Sequence, residues 1–215
     1  MDLSLSNVSK NFGGLRAVSD VSFTVPSKSI FGLIGPNGAG KTTVFNLITG
    51  VYKHDTGGIH FGATDLKPKK PAEIAAVGIG RTFQNIRLFT QLTVIENLLV
   101  ACELSKKANL GADIFRTRVH YEDEQAMFKR AHELLDVFGL SDVADEPSTS
   151  LPYGNQRRLE IARAMMLKPN LLLLDEPAAG MNYGEAVGLK TQIRWLRDTF
   201  DLSGVVVVNN IQSLL

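Results

Sequence analysis

Gly35-Pro36-Asn37-Gly38-Ala39-Gly40-Lys41-Thr42-Thr43 is the stretch that decides how this chain is read. From Gly35 to Thr42 it satisfies the pattern G-x-x-x-x-G-K-[ST] in full. Its flanks agree with that reading. Ile30-Phe31-Gly32-Leu33-Ile34 is continuously apolar, as expected of a strand covered on both faces. Residues from Thr42 to Ile48 read as a short buried helix stopped by Gly50. Glycines in the loop let backbone N–H groups curl around phosphate oxygens, and the positive end of the following helix adds to the attraction. Lys41 supplies a point charge for β- and γ-phosphates, and the Thr42 hydroxyl is placed for Mg²⁺.

Working outward, the complementary carboxylates stand at the end of a later strand. Leu171-Leu172-Leu173-Leu174-Asp175 is a buried-strand pattern ending in charge. Open α/β sheets bind ligands at the carboxyl ends of their strands, which makes Asp175 the candidate Mg²⁺ carboxylate. Glu176 follows where the backbone leaves the strand, so its carboxylate can point at an attacking water, and Pro177 helps fix the exit. Beyond it, Val187, Ile193, Leu196 and Phe200 fall largely on one helical stripe, and Val205 to Val208 supply a last β-branched strand. Strand, crossover helix and strand in that order predict an α/β fold with a largely parallel sheet.

The remaining segments fit around this core. Leu3 and Leu5, then Val21, Phe23 and Val25, alternate with polar neighbours as short strands do, and Ile59 with Phe61 suggests another. From Val94 to Gly139 the texture is helical: Thr93 is an N-cap with Glu96 at the capping-box position, and Ala131, Leu134, Leu135 and Phe138 repeat at three-four spacing. A helical subdomain at residues 90–165, inserted in the α/β core, is the expectation. Pro152 fits a helix start, and Gly154 permits close backbone approach or a positive φ. Arg157, Arg158, Glu160 and Arg163 read as a solvated, salt-bridged helix face, and Lys67 to Pro71 as a solvated turn.

Composition narrows the class. The 215 residues carry 23 Lys and Arg against 22 Asp and Glu, a near-balance that argues against a strongly electrostatic nucleic-acid binder. Cys102 is the sole cysteine, which excludes an intramolecular disulfide and points to a reducing compartment. The first residues do not read as a signal peptide. The purest apolar runs, Leu171 to Leu174 and Val205 to Val208, fall far short of the roughly 18 residues a membrane span needs. Membrane association would therefore come through a partner or the surface.

Taken in order, these motifs resemble the ATP-binding subunits of ABC transporters, from about Leu3 through Phe200. The resemblance implies a P-loop NTPase of ABC type over residues 1–215, with a mostly parallel core sheet, N-terminal antiparallel strands and an inserted helical subdomain. Gly35 to Thr43 then correspond to Walker A, with Gly35, Pro36, Asn37, Gly38, Ala39, Gly40, Lys41, Thr42 and Thr43 on the nucleotide. Leu171 to Glu176 correspond to Walker B, with Glu176 the catalytic glutamate. Gln84, in Arg81-Thr82-Phe83-Gln84, matches the Q-loop glutamine that touches Mg²⁺ or the attacking water and reports to the membrane subunit. Catalysis is thereby assigned to Glu176, Gln84 and Lys41, and the metal to Thr42, Gln84 and Asp175. Leu151 to Leu159 resemble the signature motif, which puts Tyr153 and Gly154 at the γ-phosphate bound by the opposite subunit. Phe12 lies where the family places an aromatic ring against adenine.

Within the family, Asn85 to Phe89, Leu92 to Leu98 and Pro177 to Asn182 resemble the branched-chain amino-acid importers; urea-type and lipopolysaccharide-export ATPases share much of this wording. Asn182 then falls in the segment that crosses the dimer interface. The implied cofactors are ATP and Mg²⁺. The implied partners are a second copy or a paralogous ATPase, integral-membrane permease subunits and, indirectly, a periplasmic or extracellular substrate-binding protein, with no nucleic acid. The implied location is the cytoplasmic face of the inner or plasma membrane, as a peripheral subunit.

The pattern also breaks. Pro152 replaces the usual signature serine and Asn155 a glutamine. A gapless register sets the family's switch histidine on Asn209 and its aspartate on Asn210, with Gln212 nearby in another register. His54, His60, His120 and His132 lie elsewhere in the chain. An asparagine can hydrogen-bond but cannot titrate as histidine does, and the sequence ends at Leu215 before the family's usual last elements. Lowered turnover is the expectation. Two other readings stay open: a nucleotide-binding regulatory subunit with little turnover, and a soluble non-transport ATPase, which the lack of zinc cysteines opposes.

Overall fold

A computed structural model describes residues 1–103 and 118–208. The expectations placed on Asn209, Asn210 and Gln212 lie outside the described residues. In chain order the strands and helices begin with β1 (Leu3–Phe12), β2 (Leu15–Val25), β3 (Ile30–Ile34), α1 (Lys41–Ile48), β4 (Thr56–Phe61) and β5 (Thr64–Asp65). They continue with α2 (Pro71–Ala76), β6 (Ile79–Arg81), α3 (Val94–Glu103), α4 (Arg118–Phe138) and α5 (Tyr153–Met166). β7 (Leu171–Asp175), α6 (Tyr183–Phe200) and β8 (Ser203–Val208) complete the series. They divide between two compact units, Met1–Gln84 with Pro169–Leu215, and Asn85–Lys168.

The first unit holds two sheets. One is antiparallel in the order β2-β1-β4-β5, and the other is parallel in the order β3-β8-β7-β6. Alternation along β1 explains the first: Leu3 and Leu5 turn inward and pair across to Val25 and Phe23 on β2 and to Phe61 and Ile59 on β4. A single hydrophobic cluster draws Leu3, Leu5 and Phe61 together with Phe45 and Ile48 of α1 and Leu171 and Leu173 of β7. Helix α1 is thus held by both sheets, and each fully buried leucine contributes about 1.5–3 kcal/mol.

The two apolar runs of the parallel sheet meet different fates. All five residues of β7 are buried, as an unbroken apolar run in a strand covered on both faces predicts, and the strand is paired on both edges. β3 departs from expectation: its residues are half-buried and Ile34 is exposed. Among the described residues β3 is the end strand of the parallel row, paired with β8, and its side chains are only partly covered. Helix α6 also differs. Its buried side chains are Leu189 and Leu196, with Ile193 half-buried between them, whereas Val187 and Phe200 are exposed. Val187 lies across the helix from Leu189, and Phe200 instead meets Trp195 edge-on at 5.8 Å between centroids.

The second unit packs α3, α4 and α5 together. The capping box is present: the Thr93 N–H donates to Glu96 Oε2 at 2.8 Å, and the Glu96 N–H donates to Thr93 Oγ1 at 3.3 Å. Helix α4 buries Ala131, Leu134, Leu135 and Phe138 and ends at Gly139, whose φ of 66° closes the last turn. No helix among the described residues is long and apolar enough to cross a membrane.

Candidate functional site

The phosphate loop begins where β3 leaves its sheet. An Ala39 N–H to Pro36 O hydrogen bond of 3.2 Å turns the chain, and Gly38 and Gly40 both take φ of 83°. At Gly40 a Cβ would lie 2.4 Å from Ala17 O, so the β2 backbone presses on the loop and only glycine fits. Gly40 also precedes α1, which has no side-chain cap and no acidic residue in its first turn. Its positive end is therefore left to an external anion. Lys41 Nζ donates to Gly35 O at 2.6 Å and Pro36 O at 2.8 Å, folding the side chain across the loop at 8% exposure. Thr42 is exposed and Thr43 half-buried.

Strand register brings the carboxylates to the same edge. Ile34 pairs with Val208, and Asp175 pairs with Val207 on the other side of β8. The loop and Asp175-Glu176 thus leave the sheet two strand spacings apart, about 10 Å. Asp175 is 2% exposed. Glu176 is half-buried with φ of 46°, the left-handed region, and Ala179 N–H returns to its carbonyl at 3.0 Å. That conformation costs about 1–3 kcal/mol in a residue with a Cβ. It turns Glu176 out of the strand direction, in a conformation other than the extended one ordinarily taken before a proline.

These groups fit Mg²⁺ and a nucleotide phosphate chain. An uncapped helix end, a glycine passage closed to side chains, a hydroxyl and a buried carboxylate on one sheet edge are oxygen-donor chemistry suited to a hard cation. Among the described residues there is no cluster of three or more His, Cys, Asp or Glu to hold a metal alone. Mg²⁺ keeps few protein ligands and shares the phosphates, and a donor set of this kind is compatible with it.

A residue that the sequence reading passed over lies beside Asp175. Arg81 Nη2 is 3.8 Å from Asp175 Oδ2, while Arg81 Nη1 donates to Asn46 Oδ1 of α1 at 2.7 Å and to Oγ1 of its C-cap Thr49 at 2.9 Å. A charge at the end of the buried run Ile79-Gly80-Arg81 was the available signal.

Phe12 ends β1 at 39% exposure, with the Tyr52 ring edge-on at 5.0 Å. Lys10 Nζ stands 5.4 Å from the Phe12 centroid and is held by Asp55 Oδ1 at 2.8 Å. The Lys10 hydrogen bond, followed by that of the Asn11 N–H, holds the Asp55 carboxyl below the usual carboxylate range. Tyr52 was not anticipated, because its contact with Phe12 is set by folding of distant segments. Gln84, exposed, ends the first unit's N-terminal portion.

Tyr153 and Gly154 belong to the second unit. Pro152 is the N-cap of α5, whose first turn is made by Asn155 and Gln156 N–H groups donating to Pro152 O at 2.9 and 3.0 Å. Tyr153 is exposed; Gly154 is buried within the helix and does not take a positive φ. The expected solvated face downstream is overturned. Arg157 is 0% exposed, Glu160 is buried, and Arg157 Nη1 donates to Glu160 Oε2 at 2.6 Å. Opposite charges three residues apart meet on one helix face, which allows the pair to enter the interior together. Arg163 is half-buried over the Phe89 ring at 5.4 Å, and burial lowers its pKa.

Comparison with known proteins agrees with this architecture. The ABC transporter family matches residues 18–179. The chain is 40% identical over 213 residues to the high-affinity branched-chain amino acid transport ATP-binding protein BraF of Pseudomonas aeruginosa, spanning 99% of this chain and 84% of the relative. The corresponding LivG protein of Escherichia coli shows the same identity and coverage. Among solved structures, the ADP conformation of an ATP-binding cassette of an ABC transporter superposes with a TM-score of 0.86 at 32% identity, covering 100% of this chain and 84% of that one. A nucleotide-free ATP-binding cassette gives 0.83 at 31% identity, covering 100% and 83%. The chain belongs to the ABC transporter family, as an ATP-binding and ATP-hydrolysing subunit homologous to the branched-chain amino-acid importer ATPases.

Proposed function

We propose that this subunit drives a membrane importer for branched-chain amino acids, working from the cytoplasmic face with permease subunits and, through them, a substrate-binding protein. One observation carries the site assignment: the phosphate loop and Asp175-Glu176 leave one sheet edge on either side of β8. Lys41 and the loop N–H groups bind the β- and γ-phosphates, and Phe12 offers its face to adenine. Thr42, Gln84 and Asp175 would hold Mg²⁺, which supplies neutralising charge on the phosphates when bound. Glu176, assisted by Gln84, holds the nucleophilic water in line and takes its proton. Most of the rate then comes from positioning and electrostatic stabilisation. Tyr153 and Gly154 serve the nucleotide of a second copy or a paralogous ATPase. The amino-acid specificity is inferred from the importer ATPases to which the chain is similar.

The proposed permease dock lies near the helical subdomain, between Arg87 and Gly139, since Gln84 leads into that segment from the nucleotide unit. Single cysteines introduced along α3 test this by crosslinking to a co-expressed permease. Crosslinks from α3 are expected. Crosslinks confined to α6 would overturn the assignment.

A further inference from the structure

Arg81 is a charged residue in the interior of the nucleotide unit, and its contacts join three elements that carry the site. Its side chain is 8% exposed. Nη1 donates to Asn46 Oδ1 at 2.7 Å and to Thr49 Oγ1 at 2.9 Å, ordinary strong hydrogen bonds to α1, the helix that the phosphate loop feeds, and to its C-cap. Phe45 and Phe83 place their rings 5.6 and 5.0 Å from the guanidinium carbon, which confines the planar group and compensates part of its desolvation. The remaining arm reaches toward Asp175, with Nη2 3.8 Å from Oδ2.

Those distances separate two roles. The α1 contacts are hydrogen bonds and fix where the guanidinium stands. The Asp175 contact, with Nη2 3.8 Å from Oδ2, is an ion pair beyond hydrogen-bond length that acts on the carboxylate through its charge. Because Arg81 ends β6, and Arg81 pairs with Leu173 on β7, the brace also ties the strand leading to Gln84 to the strand ending in Asp175.

We propose that Arg81 is a positioning residue, which acts through Asp175 to set the metal carboxylate in register with the phosphate-loop helix. This rests on the reading of Asp175 as a Mg²⁺ carboxylate. Nucleotide binding through the loop alone does not need the brace. Binding of the Mg²⁺–nucleotide in the geometry of hydrolysis does, so loss of Arg81 separates the two.

The test uses the full chain carrying Glu176→Gln, so that bound ATP persists. ATP affinity is measured by calorimetry in EDTA and again across a Mg²⁺ titration, with thermal melting alongside. Arg81→Met should bind ATP in EDTA as its parent does, while half-saturating Mg²⁺ rises about tenfold or more, the scale of losing an outer-sphere partner. Arg81→Lys should recover part of that shift. If Arg81→Met fails to fold, Asn46→Ala with Thr49→Val removes the α1 anchors instead and should raise half-saturating Mg²⁺ in the same direction. Asp175→Asn separates this inference from the reading beneath it. A Mg²⁺ requirement altered in Asp175→Asn but unchanged in the folded brace variants overturns the role of Arg81 alone. A requirement unaltered in Asp175→Asn overturns the metal assignment and the inference with it. Equal affinity losses with and without Mg²⁺ would reduce Arg81 to packing of α1, which also overturns it.

Discussion

At the scale of the residue, a cation and a carboxylate on a strained backbone carry the proposed chemistry. Lys41 is bound to Gly35 O and Pro36 O, within the loop that must receive the phosphates. Lys41→Ala removes that ammonium and should abolish tight ATP binding in a calorimetric titration; unchanged affinity would remove the site assignment. Glu176→Gln retains shape and hydrogen bonding at φ of 46° but loses the base. It should preserve ATP binding, slow hydrolysis by about 10²–10⁴-fold, and hold ATP-bound chains as dimers in light scattering. A variant that hydrolyses at the parental rate would place the general base elsewhere. The phosphate loop and Asp175-Glu176 were legible in the sequence because each is a contiguous motif with a backbone consequence. Arg81 was not, since its partners Asn46, Thr49 and Asp175 come from distant segments and meet only after folding.

At the scale of the element, α5 shows where pattern reading runs out. Arg157 and Glu160 have the spacing of a surface salt bridge, and that spacing is identical whether water or protein surrounds the helix. Burial was decided by what packs on α5, which no local pattern records. Breaking the pair leaves Glu160 buried without this cation. Arg157→Met should therefore cost about 3–5 kcal/mol of stability, measured by urea unfolding, and the double change Arg157→Met with Glu160→Leu should recover much of it. A loss under about 1 kcal/mol in the single variant would mean that the pair is solvated after all. By contrast, the capping box of α3 and the leucines of β7 could be read directly. Their signals, a Thr93–Glu96 exchange and an unbroken apolar run, are complete within a few residues.

At the scale of the whole molecule, the α/β class, the parallel sheet and the helical segment were all legible from element order. The apolar stripe of α6 was only partly so, because which side of an 18-residue helix is covered depends on its neighbours. Stability of the nucleotide unit should carry a pH signature from His54. Burial, and then the charge of Lys67, hold its pKa below 6.5, with Nδ1 3.1 Å from Thr56 O. A lowered folded pKa means the unfolded chain takes the proton first, so stability present above about 6.5 is lost as pH falls toward the folded value. Melting temperature should drop between pH 7.5 and 5.5, and His54→Gln should flatten that drop. An equal drop in both proteins would assign it to other groups. The central claim, that this chain couples ATP hydrolysis to import, is tested most directly by ATP turnover in proteoliposomes containing the chain, its permease subunits and the substrate-binding protein. Turnover should rise when leucine-loaded binding protein is added and be lost in Glu176→Gln. Turnover indifferent to both permease and loaded binding protein would contradict that claim.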